Sequence, residues 1–88
     1  MGLYEAIDSL PEGARLKYES ADGTIVEYEP VLRGAGRLDV IVRKRSNNAI
    51  GKRNDTSHEY EDVEREWCDR QEQVLRDLGI DPNEYTVI

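Results

Sequence analysis

The stretch ARLKYESADGTIVEYEP, residues 14–30, constrains the fold of this chain more than any other. Apolar and charged residues alternate on both sides of Asp22-Gly23. Leu16 and Tyr18 alternate with Arg15, Lys17 and Glu19, and Val26 and Tyr28 alternate with Glu27 and Glu29. A period of two marks a strand with one buried face, and two such runs around a Gly turn predict a β-hairpin. The faces then choose its register. A two-residue loop at Asp22-Gly23 sets Tyr18 across from Glu27 and mixes apolar with charged. A three-residue loop, Ala21-Asp22-Gly23 with Gly23 left-handed, sets Tyr18 across from Val26 and Leu16 across from Tyr28. It also lays Lys17 against Glu27 and Arg15 against Glu29, so this register is the one predicted.

The pattern continues. Pro30 cannot donate to a ladder, so the second strand is expected to bulge or end there. RGAGR, residues 33–37, reads as a Gly-rich turn, and LDVIVRKR as a third strand with Leu38, Val40 and Val42 facing in. A reversal about Ala35 lays Tyr28 opposite Val42, Glu27 opposite Arg43 and Glu29 opposite Ile41. Before the hairpin, Leu3, Ile7 and Leu10 recur at helical spacing and Pro11 ends the run. After the third strand, residues 46–57 read as a polar loop. Thr56 with Glu59 then reads as a capping box. Tyr60, Val63, Trp67, Gln71, Val74 and Leu78 fall within about 80° on a helical wheel. Gly79 stands where a helix stops, with Ile80 placed to touch Leu75. The closing TVI reads as a tail or an added edge strand. The expected fold is thus one small α+β domain spanning 1–88. A three-stranded antiparallel meander (about 14–20, 24–32 and 38–45) packs on one long C-terminal helix (about 57–78) anchored by Trp67. A short N-terminal helix (about 2–9) closes one end.

Charge raises the functional question. The net charge is -7, yet residues 43–53, RKRSNNAIGKR, carry five positive charges and no negative one. Residues 1–32 sum to -5, 33–53 to +6 and 54–88 to -8. Sorting of signs along a chain calls for an explanation. The predicted registers supply part of it, because they set Arg15, Lys17, Arg43 and Arg45 beside Glu19, Glu27, Glu29 and Asp39 on the outer sheet face. Opposite charges across strands stabilise pairing by about 0.2–1 kcal/mol each. The bases left over are Lys44, Lys52 and Arg53 on the loop, with Arg33 and Arg37 at the other turn. These five are the candidate anion or partner contacts. A nucleic-acid interface built from them is the alternative reading of the 33–53 segment. Against it, useful phosphate affinity takes about six or more contacts, the flanking blocks repel a polyanion, and no aromatic residues interleave the patch to stack on bases.

Most enzyme chemistry lacks residues here. One Cys forbids an internal disulfide and a thiolate metal site, and His58 is the lone histidine. On the predicted helix His58 and Cys68 stand about 15 Å apart, too far for a nucleophile and its base. GKR at 51–53 is no phosphate-binding loop, since Ser46 stands where Gly is required and Arg53 where Ser or Thr is. No cofactor is expected. No apolar run reaches the roughly 18 residues of a membrane span, and the N-terminus has neither the bases nor the apolar run of a signal peptide. The expected setting is therefore cytoplasmic, with no membrane contact.

The expected function is that of a small non-enzymatic interaction or regulatory module working by protein–protein contacts, with a protein or a second copy of itself as partner. Phage- or virus-type inhibitors share this size and charge. Nine Arg against three Lys, under an acid excess, also fits a halophilic protein or a GC-rich phage genome. Candidate interface residues are Ile25 and Ile41, two isoleucines on the outer sheet face that point to a homodimer, and Ile50 in the loop. Asp62, Glu66 and Asp69 join them on the acidic helix face.

Overall fold

A computed structural model of the chain describes residues 2–32, 36–47 and 50–88. In chain order the elements are α1 (Leu3–Asp8), β1 (Leu16–Glu19), β2 (Ile25–Leu32), β3 (Leu38–Asn47), β4 (Arg53–Tyr60), α2 (Arg65–Asp77) and β5 (Thr86–Val87). The five strands form one antiparallel sheet in the order β4-β3-β2-β1-β5.

The first hairpin turns as its alternation dictates. Leu16 lies opposite Tyr28, Lys17 opposite Glu27 and Tyr18 opposite Val26. Gly23 is left-handed, at φ 88°. The Ser20 N–H donates to the Thr24 carbonyl at 2.9 Å. The Asp22 carboxylate accepts from the Ser20 hydroxyl and, at 3.0 Å, from the Thr24 N–H. These bonds, the hydroxyl first, hold the Asp22 carboxyl down at about 2. The second register also follows the faces, with Tyr28 opposite Val42, Glu27 opposite Arg43 and Glu29 opposite Ile41. Pro30 does not end β2. It pairs with Val40, and the strand continues to Leu32. β1 reaches only as far as Tyr28, so no strand on that side calls for the N–H that Pro30 lacks.

Residues 53–64 overturn the expected three-stranded meander on a long helix over 57–78. Residues 53–60 are strand β4, with Arg43 opposite Ser57, Val42 opposite His58 and Val40 opposite Tyr60. The sheet has five strands, and the helix has 13 residues. Thr56 and Glu59 belong to β4 and form no capping box. Glu64 takes the N-cap position, without a side-chain cap. Asp62 is left-handed, at φ 51°, which stops any helix from reaching back past it. Its N–H donates to the buried Asp39 carboxylate at 2.8 Å, and the Val63 N–H donates to the Leu38 carbonyl at 2.8 Å. Asp39, expected among the solvent-facing acids, is fully buried instead and ties the β4–α2 corner to β3. Tyr60 and Val63 do belong with Trp67, but from the strand and the corner. Tyr60 stacks on Trp67 at 5.1 Å and Val63 joins the core.

The helix stops as its sequence dictates. Gly79 is left-handed, its N–H donates to the Arg76 carbonyl, and the Ile80 N–H donates to the Leu75 carbonyl, both at 2.9 Å. That is a Schellman ending. Ile80 and Leu75 are both buried.

The core lies between the sheet and the two helices, with Tyr18 and Tyr28 at its centre. Their rings meet edge to face at 5.9 Å, and Tyr28 meets Trp67 the same way at 6.4 Å. A chain without Phe buries a hydroxyl with each such ring, and each must find an acceptor. The Tyr18 hydroxyl donates to the Pro82 carbonyl at 2.8 Å, and that of Tyr28 to Gln71 Oε1 at 3.0 Å. Burial raises both phenols above their ordinary range. Arg65 joins the helices by pairing with Glu5 and lying 4.5 Å over the Tyr4 ring. No helix among the described residues is long and apolar enough to cross a membrane.

Candidate functional site

The outer sheet face is a lattice of ion pairs. Glu27 sits mid-strand and is only 3% exposed. Arg15 Nε lies 3.2 Å from its Oε1, and Arg45 Nη2 lies 3.6 Å from its Oε2. Among the described residues Oε1 takes no well-aligned hydrogen bond, so Arg15 holds it by charge rather than direction. Arg43 Nη1 donates to Glu29 at 2.6 Å, with Arg15 3.9 Å from the same oxygen. Further along, Arg53 pairs with Asp55 at 2.9 Å, and Arg37 grips the buried Asp39 through two contacts of 3.1 Å. Every described arginine of the 33–53 block therefore has a carboxylate within 4 Å.

The five candidate anion contacts do not converge. Arg33 lies outside the described residues. Arg37 precedes β3, whereas Arg53 opens β4 opposite Asn47 at the far end of β3. Ten residues of strand separate those ends, about 33 Å at about 3.3 Å per residue. Lys44 is not in a loop. It belongs to β3, between Val26 and Thr56, on the face that looks toward α2. Ser46 and Asn47 likewise belong to β3 and residues 53–57 to β4, so the predicted loop over 46–57 is mostly strand, with Lys52 just before β4.

The interface candidates scatter as well. Ile25 and Ile41 are half-buried on the outer face, but Ile25 pairs with Arg45 whereas Ile41 lies between Glu29 and Glu59. Ile50, near the tip of the β3–β4 hairpin, is 76% exposed. Glu66 and Asp69 are exposed on α2, where Glu66 pairs with Arg70 at 3.3 Å. Asp62 belongs to the corner before the helix, not to its acidic face.

Sequence reasoning missed the most distinctive surface. β4 ends the sheet, pairing only with β3, so one side of its eight-residue backbone carries no strand among the described residues. Beside that edge, α2 and the inner sheet face enclose a groove of about 260 Å³. Val42, Tyr60, Val74 and Leu78 give it apolar walls, and Lys44 and His58 place polar tips along it. His58 stacks on Tyr60 at 4.5 Å and Tyr60 on Trp67, an aromatic ladder from strand to helix. No period marked β4 in the sequence, since residues 53–59 are all polar or charged and Tyr60 is the one large ring at its end.

His58 and Cys68 do not share a helix. His58 is on β4, and Cys68 is buried on α2 with its thiol pushed up to about 11, chiefly by burial. Among the described residues no three His, Cys, Asp or Glu side chains gather as metal ligands would. Comparison with protein-family models, with curated proteins and with solved structures finds no match for this chain.

Proposed function

We propose that this protein is a non-enzymatic interaction module that works by protein–protein contact, with the β4 edge and the adjoining groove as its contact surface. The observation that carries the reading is the open eight-residue edge beside an aromatic-lined groove. An extended segment added to such an edge gains affinity from backbone hydrogen bonds, and the groove selects its alternate side chains. The ion pairing of Arg37, Arg43, Arg45 and Arg53 supports a protein partner over nucleic acid, because phosphate contacts would first have to break those pairs.

The test compares the tagged chain with its Val74→Glu variant. Val74 is 44% exposed in the groove wall, so the added charge leaves the core alone. The reading expects a defined protein retained after nuclease treatment, at low and at raised salt, and lost with the variant. Capture of nucleic acid whose affinity falls steeply with salt would contradict it.

A further inference from the structure

Eight residues without Pro, Gly or a bulge make a regular β4 edge, and regular edges template further strands unless something blocks them. Its charges are what could block. Arg53, Asp55, Ser57 and Glu59 point to the outer face, since they lie opposite Asn47, Arg45, Arg43 and Ile41. Asn54, Thr56, His58 and Tyr60 point to the inner face. When two identical strands pair antiparallel about a two-fold axis normal to the sheet, facing residues must share a face. The two numbers in every facing pair then add to one even sum.

Few registers satisfy this, and charge separates them. Centring the axis on Ser57 sets Asp55 against Glu59, twice, inside the strand, and gains Arg53 against Glu61 only beyond the strand's end at Tyr60. Centring on His58 sets Asp55 against Glu61, twice. Centring on Asp55 sets that residue against itself. Centring on Asn54 joins Arg53 to Asp55 but leaves most of the strand unpaired. Centring on Thr56 uses residues 53–59 throughout. It places Arg53 opposite Glu59 of the second copy at both ends, Asp55 opposite Ser57, Asn54 opposite His58, and Thr56 opposite itself. No like charges face each other. Arg53, already 2.9 Å from its own Asp55, then lies between two carboxylates.

We infer that the β4 edge pairs with the β4 edge of a second copy of this chain, antiparallel and centred on Thr56, with Arg53 of each copy against Glu59 of the other. This rests on reading the edge as a protein-contact surface and names its occupant. The contact is isologous, so each copy uses up the other's edge and assembly stops at two. The same charges that favour this register oppose its neighbours, which separates a defined dimer from open aggregation.

The test is a charge swap read by sedimentation velocity over a range of concentrations. The wild type is expected to shift with concentration from the chain's 10.1 kDa toward twice that mass. Arg53→Glu alone and Glu59→Arg alone each turn two attractive pairs repulsive. Each should weaken self-association by about fivefold to several hundredfold. Mixing the two single variants should give a heterodimer, because each Glu then meets an Arg. The double variant should associate like the wild type. Far-UV circular dichroism checks the fold of each, and recovery on mixing excludes misfolding as the cause of the loss. A wild type that stays at one chain's mass at high concentration would overturn the dimer, while a partner captured and lost with Val74→Glu would still uphold the contact-surface reading. Dimers indifferent to both swaps would overturn the register and with it the proposal.

Discussion

Consider removing the two guanidinium groups that flank Glu27. Its side chain is 4% exposed, and those of Arg15 and Arg45 are 36% and 39% exposed. The two sides of this cluster are therefore unequal. Arg15→Met with Arg45→Met takes away the two arginines within 4 Å of the buried carboxylate. It leaves Lys17 and Arg43 across the neighbouring strands, with Arg43 already paired to Glu29. Stranding a buried charge costs about 3–5 kcal/mol, and the low end applies because each arginine is more than a third in water. Glu27→Leu instead leaves two arginines that can turn to solvent, and should cost no more than about 1 kcal/mol. The triple variant, apolar at all three positions, should return close to the wild type, since well-packed apolar groups often replace buried ion pairs at no loss. The whole stability of such a chain is about 4–13 kcal/mol, so these differences are readable as midpoints of urea unfolding at constant slope. Equal losses for the double arginine variant and Glu27→Leu would refute the reasoning. The arginines would then not be engaged by the strand's own acid, and the sheet face would regain a cationic character.

Three further outcomes follow from the structure. Trp67→Ala removes the ring that bridges Tyr28 and Tyr60 and should cost about 2–4 kcal/mol in chemical unfolding, because Trp67 is half-buried rather than fully enclosed. Asp22 has a folded-state pKa of about 2 against an ordinary 3.8, so its contribution is present above pH 4 and is lost as pH falls toward 2. Asp22→Asn should flatten that part of the stability–pH curve by lowering stability at neutral pH, with variant and wild type converging as pH falls toward 2. Cys68 is buried with its thiol raised to about 11, so a disulfide reagent at pH 8 should label the native chain no faster than it opens, and Leu75→Ala should speed the labelling.

The parts of the fold that were legible share a cause. Where one face is buried and the other charged, the residues report their direction, and both hairpin registers through β2 follow from that alone. The Schellman ending was legible because only Gly takes the left-handed position cheaply. β4 was not, because residues 53–59 contain no large apolar side chain and both faces of the strand lie largely open to water, so burial imposes no period on its sequence. Tyr60, Val63 and Trp67 then aligned on a wheel by coincidence of spacing, although they arrive from a strand, a corner and a helix. The left-handed Asp62 that divides those elements carries no sequence mark of its own. Of the candidate site, it was readable in advance that Glu27 and Glu29 share a face with the bases, but not which partners they take. The ion pairs join Glu27 to Arg15 and Arg45 and Glu29 to Arg43 and Arg15, whereas the registers set Lys17 and Arg43 against Glu27. The groove and the free edge were not legible, since both exist only once β4 is placed.

Amide hydrogen exchange along residues 53–60 tests the use of that edge most directly. Alternate amides face β3 and should be protected at all concentrations. Those facing outward should exchange fast in dilute protein and slow progressively as concentration rises or a captured partner is added. Outward amides that exchange at one unchanging rate under all these conditions would contradict the account.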